Sequence, residues 1–187
     1  MKNNFIKRLL RETINKKNNR NEYGCVMLSV DVDKLVWGSI QDIIDDKDVY
    51  HGDDVQEGFG RETKPHITIL YGLNETVSDN DVRDKLKGIK KFDIKINNIS
   101  LFKNDKFDVL KFDVTSSELV SLNKSFKELS HVETYKNYHP HMTIAYLKPN
   151  IGDKYVDKLK KYVNSVEVTI NDVIYSKVSG KEVKIKI

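Results

Sequence analysis

The 187-residue chain has a single cysteine, Cys25, so it cannot close an internal disulfide, and such sparing use of cysteine fits a reducing compartment. It has no apolar run near the roughly 18 residues needed to cross a bilayer. Its first residues lack the apolar stretch of a signal peptide. A membrane partner and secretion are both excluded at this level, and the expected location is the cytoplasm. Neither sign of charge dominates: 32 Lys and Arg stand against 28 Asp and Glu, a formal net charge of +4. That small bias is compatible with an anionic substrate without specifying one. No linker-like stretch divides the chain. Hydrophobic residues make up 39% and charged residues 32%, a balance that excludes disorder and favours a packed core. At about 100–200 residues per domain, the length fits one domain or two tightly joined lobes.

The charge is unevenly placed. Residues 1–20 hold Lys2, Lys7, Arg8, Arg11, Lys16, Lys17 and Arg20 against one acid, Glu12. This reads as a basic N-terminal arm or helix over residues 1–22, either solvated or in contact with nucleic acid. Asp45, Asp46, Asp48, Asp53, Asp54 and Glu57 make residues 45–57 acidic. Cys25 lies in an apolar strand-like run, where a buried, unreactive thiol is expected.

One phrase occurs twice. Pro65-His66-Ile67-Thr68-Ile69-Leu70-Tyr71 and Pro140-His141-Met142-Thr143-Ile144-Ala145-Tyr146 agree at five of seven positions, offset by 141 − 66 = 75 residues. The surroundings repeat as well. A strand over Cys25–Asp31 leads to a helix capped by Asp33, with Val36, Ile40, Ile43 and Ile44 apolar. After a loop with Gly52, Gly58 and Gly60 comes the first His strand. Ser78 then opens a helix carrying Val82, Leu86 and Ile89, and Phe92, Ile94 and Ile96 form an alternating strand.

The second half gives a strand over Phe107–Val114, then a capping box at Thr115-Ser116-Ser117-Glu118. Its helix carries Leu119, Leu122, Phe126 and Leu129. The second His strand, a helix with Val156, Leu159 and Val163, and two strands (Val166–Ile170 and Val183–Ile187) complete the order. Ile96-Asn97-Asn98-Ile99 echoes Ile170-Asn171-Asp172-Val173 at 170 − 96 = 74, and the helix starts are 115 − 33 = 82 apart. Asn104-Asp105-Lys106 reads as a tight turn between the halves. The expected fold is α+β: two pseudo-symmetric β-α-β-α-β lobes, about 23–104 and 105–187, whose antiparallel sheets face a central cleft.

Strand side chains alternate with period two. His66 and Thr68 therefore share one face, as do His141 and Thr143, while Tyr71 and Tyr146 face the other way and are poor candidates for substrate contact. Two imidazoles meeting across a cleft suit phosphodiester cleavage. One neutral ring takes a proton from the attacking oxygen, and one charged ring gives a proton to the leaving oxygen. An ordinary pKa of about 6.5 allows either state near neutral pH. The threonine hydroxyls can bond non-bridging phosphate oxygens. A ribose 2′-hydroxyl already beside the phosphate makes the attack intramolecular, so neither metal nor cofactor is expected. His139-Pro140-His141 has a His-x-His look, but the first half has no matching pair and only Cys25 could add sulfur, too few ligands for zinc. His139 is expected at the cleft rim, His51 and His131 on loops or the surface.

At these residues the chain resembles the two-histidine (2H) phosphoesterase superfamily, whose signature is one His-x-Thr/Ser motif per lobe. The resemblance covers about residues 23–180. It implies that His66 and His141 are the catalytic pair and that Thr68 and Thr143 bind phosphate. More narrowly, Tyr23-Gly24-Cys25-Val26-Met27, Lys64-Pro65-His66 through Gly72, and Tyr138-His139-Pro140-His141 through Pro149 resemble the phage anti-CBASS phosphodiesterases. That resemblance implies a phage-encoded immune-evasion enzyme in the host cytoplasm, degrading cyclic di- and trinucleotide messengers. Substrate bases would stack on Tyr23, which resembles a family position near the cleft, and on Phe102. The loop over 51–62 is a candidate lid. RNA is the alternative partner, through opening of 2′,3′-cyclic phosphate ends or joining of RNA halves; sequestration of cyclic nucleotides without cleavage is a third reading.

Overall fold

The computed structural model describes residues 21–30, 37–52, 59–160 and 165–187. The basic residues 1–20, the helix start at Asp33 with Val36, residues 53–58 of the glycine-containing loop, and Val163 lie outside them. The described chain forms β1 (Gly24–Ser29), α1 (Trp37–Ile43), β2 (His66–Leu73), α2 (Asp79–Leu86), β3 (Phe92–Lys103), β4 (Asp108–Thr115), α3 (Ser117–Phe126), β5 (His141–Leu147), α4 (Gly152–Lys160), β6 (Val166–Ile170), β7 (Asp172–Ser176) and β8 (Glu182–Lys186). This is the α+β order expected, with β7 added between the last two expected strands. The strands form one eight-stranded antiparallel sheet, in the order β6-β3-β4-β5-β2-β1-β7-β8.

The duplication is built into the pairing. β2 meets β5 through Ile67 and Met142, and β3 meets β6 with Ile94 opposite Val168. Those partners are 142 − 67 = 75 and 168 − 94 = 74 residues apart, the repeat offsets of the sequence. A residue paired antiparallel with its own copy marks a pseudo-twofold axis through the pair. The half-sheets do not follow the stretches 23–104 and 105–187. β3 sits with β4, β5 and β6, while β7 and β8 extend β1 and β2. The halves are interleaved, so each needs strands from the other.

Local sequence explains the element ends. Ser78 caps α2 in a full capping box, with Asp81 N–H donating to Ser78 Oγ and Ser78 N–H to the Asp81 carboxylate, worth about 0.5–2 kcal/mol. Asn104 turns β3 into β4 by accepting from the backbone N–H of Lys106 and of Phe107. The cap of α3 is Ser116 rather than Thr115. That one-residue slip removes the expected box: the Glu118 carboxylate accepts from the Ser116 and Ser117 hydroxyls instead.

The core lies between the helices and one face of the sheet. Val26 and Leu28 of β1, Leu110 and Phe112 of β4, and Leu119, Leu122 and Phe126 of α3 are buried there. Ile67 and Met142 are fully buried. Each such side chain stabilises by about 1.5–3 kcal/mol, so packing more than a hydrogen-bond ladder holds the β2–β5 crossing.

Both His strands carry a bulge just after their threonine. Val26 faces Leu70 and Met27 faces Thr68, leaving Ile69 extra; Leu110 faces Ala145 and Lys111 faces Thr143, leaving Ile144 extra. A helix amide side chain satisfies the carbonyl that each irregularity frees. Asn123 Nδ2 donates to the Ile69 carbonyl at 2.7 Å, and Gln41 Nε2 to the Ile144 carbonyl at 2.9 Å. These amides are 123 − 41 = 82 residues apart, the offset between the two helix starts. The Ile144 carbonyl also accepts the Glu62 N–H at 3.0 Å. Asn123→Leu should therefore destabilise by about 1–3 kcal/mol, the cost of a buried carbonyl left without its donor, and Gln41→Leu by less. Urea unfolding of the two variants checks the ranking.

Candidate active site

His66 and Thr68 on β2 and His141 and Thr143 on β5 flank the Ile67–Met142 crossing. Period-two alternation puts all four opposite that buried pair, on one face. The two rings are held alike. His66 Nδ1 bonds the Lys64 carbonyl at 2.9 Å, and His141 Nδ1 the His139 carbonyl at 2.7 Å. A carbonyl only accepts, so each Nδ1 carries its hydrogen and Nε2 is the nitrogen left for chemistry. Lys64 and His139 each precede a proline, which drives them into extended backbone. The Pro-His pair in each motif thus fixes both tautomer and ring orientation.

The surroundings of the two rings differ. On β4, Asp113 faces His141 and Lys111 faces Thr143. On β1, Ser29 and Met27 hold the matching places opposite His66 and Thr68. Lys111 is 5% exposed. Its ammonium donates to Ser100 Oγ at 2.7 Å and Asp113 Oδ1 at 2.5 Å, and lies 4.2 Å from the centre of the Phe102 ring. Phe102 in turn meets His141 edge to face at 4.9 Å. Burial, with the Lys111 ammonium and His66 adding to it, lowers the His141 pKa below its ordinary value; the His139 carbonyl and Asp113 act in the opposite direction. Beside His66 the charged neighbour is an acid: Glu62 Oε2 lies 3.7 Å from Nδ1. His141 thus has a lysine–aspartate pair beside it, and His66 a lone glutamate.

Of the expected substrate contacts, Phe102 packs on His141, and Tyr23 packs edge to face on Tyr71 at 5.8 Å. Burial pushes the Cys25 thiol up to about 12 against a lowering bond from Thr68, so it is protonated and unreactive at neutral pH. His139 is exposed, His51 is exposed on its loop, and His131 is half-buried, bridging to Leu73. The end of the candidate lid is pinned: Tyr146 N–H donates to the Gly60 carbonyl, and Arg61 bonds carbonyls of Gln41 and Ile44 behind α1. Among the described residues, no group of three or more His, Cys, Asp and Glu is placed to hold a metal ion, and no helix is long and apolar enough to cross a membrane.

Sequence reading missed Lys111, Asp113, Ser100 and Glu62. A signal was present for two of them. Lys111 and Asp113 alternate with Leu110, Phe112 and Val114, so an ion pair shares the strand with core residues. Tyr138 was also missed; its hydroxyl donates to the Thr68 carbonyl at 3.0 Å and ties the loop before β5 to β2.

The chain matches a model of the 2′-5′ RNA ligase superfamily over residues 36–181. The chain belongs to that superfamily. Its members are the two-histidine phosphoesterases to which the motifs pointed. Solved structures share the superfamily fold. Usb1 of Kluyveromyces marxianus with uridine monophosphate is 11% identical, with a TM-score of 0.55, and the alignment covers 88% of this chain and 97% of that one. LigT of E. coli complexed with 3′-AMP is 9% identical, with a TM-score of 0.53 and coverage of 88% and 94%. TT0787 of Thermus thermophilus is 12% identical, with a TM-score of 0.53 and coverage of 88% and 94%. No curated protein matches the chain. Superfamily membership points to a phosphoesterase, acting as a phosphodiesterase or in RNA processing.

Proposed function

We propose that this protein is a metal-independent phosphodiesterase that cleaves 3′–5′ internucleotide linkages, with cyclic di- and trinucleotide messengers as its substrate class. The observation that carries the reading is the paired His-x-Thr on one face of the β2–β5 crossing, each imidazole presenting Nε2. His141 is the base: burial and Lys111 favour its neutral ring. Its Nε2 takes the 2′-hydroxyl proton as the 2′-oxygen bonds phosphorus. His66, beside Glu62, is the acid. Its Nε2 protonates the 5′-oxygen as the P–O5′ bond breaks, leaving a 2′,3′-cyclic phosphate and a 5′-hydroxyl. The Thr68 and Thr143 hydroxyls donate to the non-bridging oxygens. Resemblance to the anti-CBASS enzymes supports the cyclic substrates and a role in blocking bacterial anti-phage signalling from the host cytoplasm.

RNA is the second reading. It is favoured by the superfamily's description as 2′-5′ RNA ligases, and the basic residues 1–20 would suit such a partner. Incubation with cyclic di- and trinucleotides, short RNAs and RNA ending in 2′,3′-cyclic phosphate, resolved by mass spectrometry with and without EDTA, separates the two. Cyclic dinucleotides opened to a 2′,3′-cyclic phosphate end, at a rate EDTA leaves unchanged, are the expected result. Turnover of RNA alone would replace the first reading with the second. Recovery of every ligand intact would leave only sequestration.

The division of roles has its own test. kcat/KM should follow a bell-shaped pH profile, because one ring must be neutral and the other charged. The acidic limb reports the base. Lys111→Met removes an ammonium that disfavours the His141 imidazolium and leaves Asp113, which favours it. The acidic limb should therefore move to higher pH. A limb that stays in place, or a basic limb that moves instead, would reverse the assignment.

A further inference from the structure

The bulges at Ile69 and Ile144 do more than bend their strands. Each inserts one residue and so reverses the alternation beyond it. Tyr71 and Tyr146, five residues after His66 and His141, are thereby returned to the face of the histidines. The partner strands agree. Tyr71 lies opposite Cys25 and Tyr146 opposite Val109, in the same alternation as Met27 and Lys111, whereas Val26, Leu28, Leu110 and Phe112 point into the core. Both residues are half-buried. Tyr71 is supported edge-on by Tyr23, and Tyr146 by Phe59 at 5.1 Å and Phe107 at 5.5 Å.

Their spacing is symmetric about the chemistry. β2 and β5 run in opposite directions from the crossing. Each tyrosine α-carbon therefore lies about 10 Å along the sheet on its own side, three partner-strand residues (Leu28 to Cys25, Phe112 to Val109) at ~3.3 Å each. Tyr135, 74% exposed, acts electrostatically on both phenols. Tyr135 follows Thr134, whose hydroxyl is tied to the Tyr71 carbonyl at 3.4 Å.

We infer that Tyr71 and Tyr146 are paired base-stacking subsites, one on each side of the scissile phosphate, so that the site takes a phosphodiester flanked by two nucleosides. The inference rests on the phosphodiesterase reading and narrows it: a nucleoside 2′,3′-cyclic phosphate, with one base, fills half of the site. Stacking on an aromatic side chain contributes about 1–3 kcal/mol per base, which is roughly 5- to 150-fold in binding.

The test compares wild type with Tyr71→Leu, Tyr146→Leu and the ring-keeping Tyr71→Phe and Tyr146→Phe. Three probes are used: the dinucleotide UpU, uridine 3′-methylphosphate with a base on one side only, and 2′-O-methyl UpU, which binds but lacks the attacking hydroxyl. On UpU each leucine variant should lose about 5- to 150-fold in kcat/KM, chiefly through KM, and the phenylalanine variants should match wild type. On the methyl ester only one leucine variant should lose activity, because one subsite is empty. The Kd of 2′-O-methyl UpU should rise in both leucine variants. Should wild type bind this analogue yet cleave neither substrate, and the leucine variants bind it weakly, the subsites stand and the phosphodiesterase reading falls. Leucine variants that keep wild-type KM on UpU and wild-type Kd for the analogue overturn the inference. So do losses of equal size on UpU and the methyl ester, which would mean a purely structural role.

Discussion

Alanine at His141 or at His66 should lower kcat/KM by about 100- to 10,000-fold each, the usual worth of one positioned proton transfer. The two losses should not add in the double variant, because a base without its acid partner no longer completes the same step. The fold should tolerate both changes. Neither ring is fully buried, and beyond Glu62 beside His66 and Phe102 packed on His141, each makes one hydrogen bond, to a carbonyl two residues away. Melting temperatures near wild type would separate lost chemistry from lost structure. The substitutions are distinguishable from one another. A p-nitrophenyl ester needs no proton on its leaving oxygen, so it should restore much of the rate of His66→Ala and little of that of His141→Ala. A single variant that keeps more than a tenth of wild-type activity on dinucleotides would rule out the acid–base pair.

The largest loss of stability should come from Gly72→Ala. Gly72 follows Tyr71 at a second irregularity of β2, between the pairs Leu73–Gly24 and Tyr71–Cys25. Its φ is +112°, and a Cβ there would stand 2.3 Å from the Val132 carbonyl oxygen. Two costs combine. Left-handed backbone at a residue with a side chain costs about 1–3 kcal/mol. Relieving the clash pushes Val132 away, breaking the bond from its N–H to the Gly72 carbonyl, a further ~0.5–1.5 kcal/mol. A domain of this size loses about 2–4 °C per kcal/mol, so the melting temperature should fall by roughly 5–15 °C. The displaced segment carries Thr134 and Tyr135, so KM for a dinucleotide should rise as well. An alanine variant that melts with wild type would mean that this loop is not held where the structure places it.

Much of the fold was legible because it depends on nearest neighbours in the chain. Ser78 and Asp81 form a capping box wherever the chain goes, and Asn104 closes its turn with N–H groups two and three residues away. Apolar periodicity marked the elements, and the repeat offset of 75 fixed their equivalence. The slip from Thr115 to Ser116 as the α3 cap has a local cause too: several adjacent hydroxyls can each cap a helix, and packing chooses among them. The interleaving of the halves had no such local sign. Whether β3 pairs with β1 or β4 depends on which apolar faces meet, and their patterns are alike.

The face of Tyr71 and Tyr146 was misread for a related reason. Alternation holds only while two strands stay in step, and neither Ile69 nor Ile144 is a residue type that advertises a bulge. The donors that make the bulges tolerable, Asn123 and Gln41, lie 54 and 103 residues away. The sequence by itself determined the proposed reactive groups: two imidazoles, each with a hydroxyl two residues on along its strand. Tertiary structure alone decided what surrounds them. Register between strands put Lys111 and Asp113 against one histidine, Met27 and Ser29 opposite the other, and a tyrosine beyond each, because a side chain's neighbours across a sheet are set by pairing and not by order along the chain.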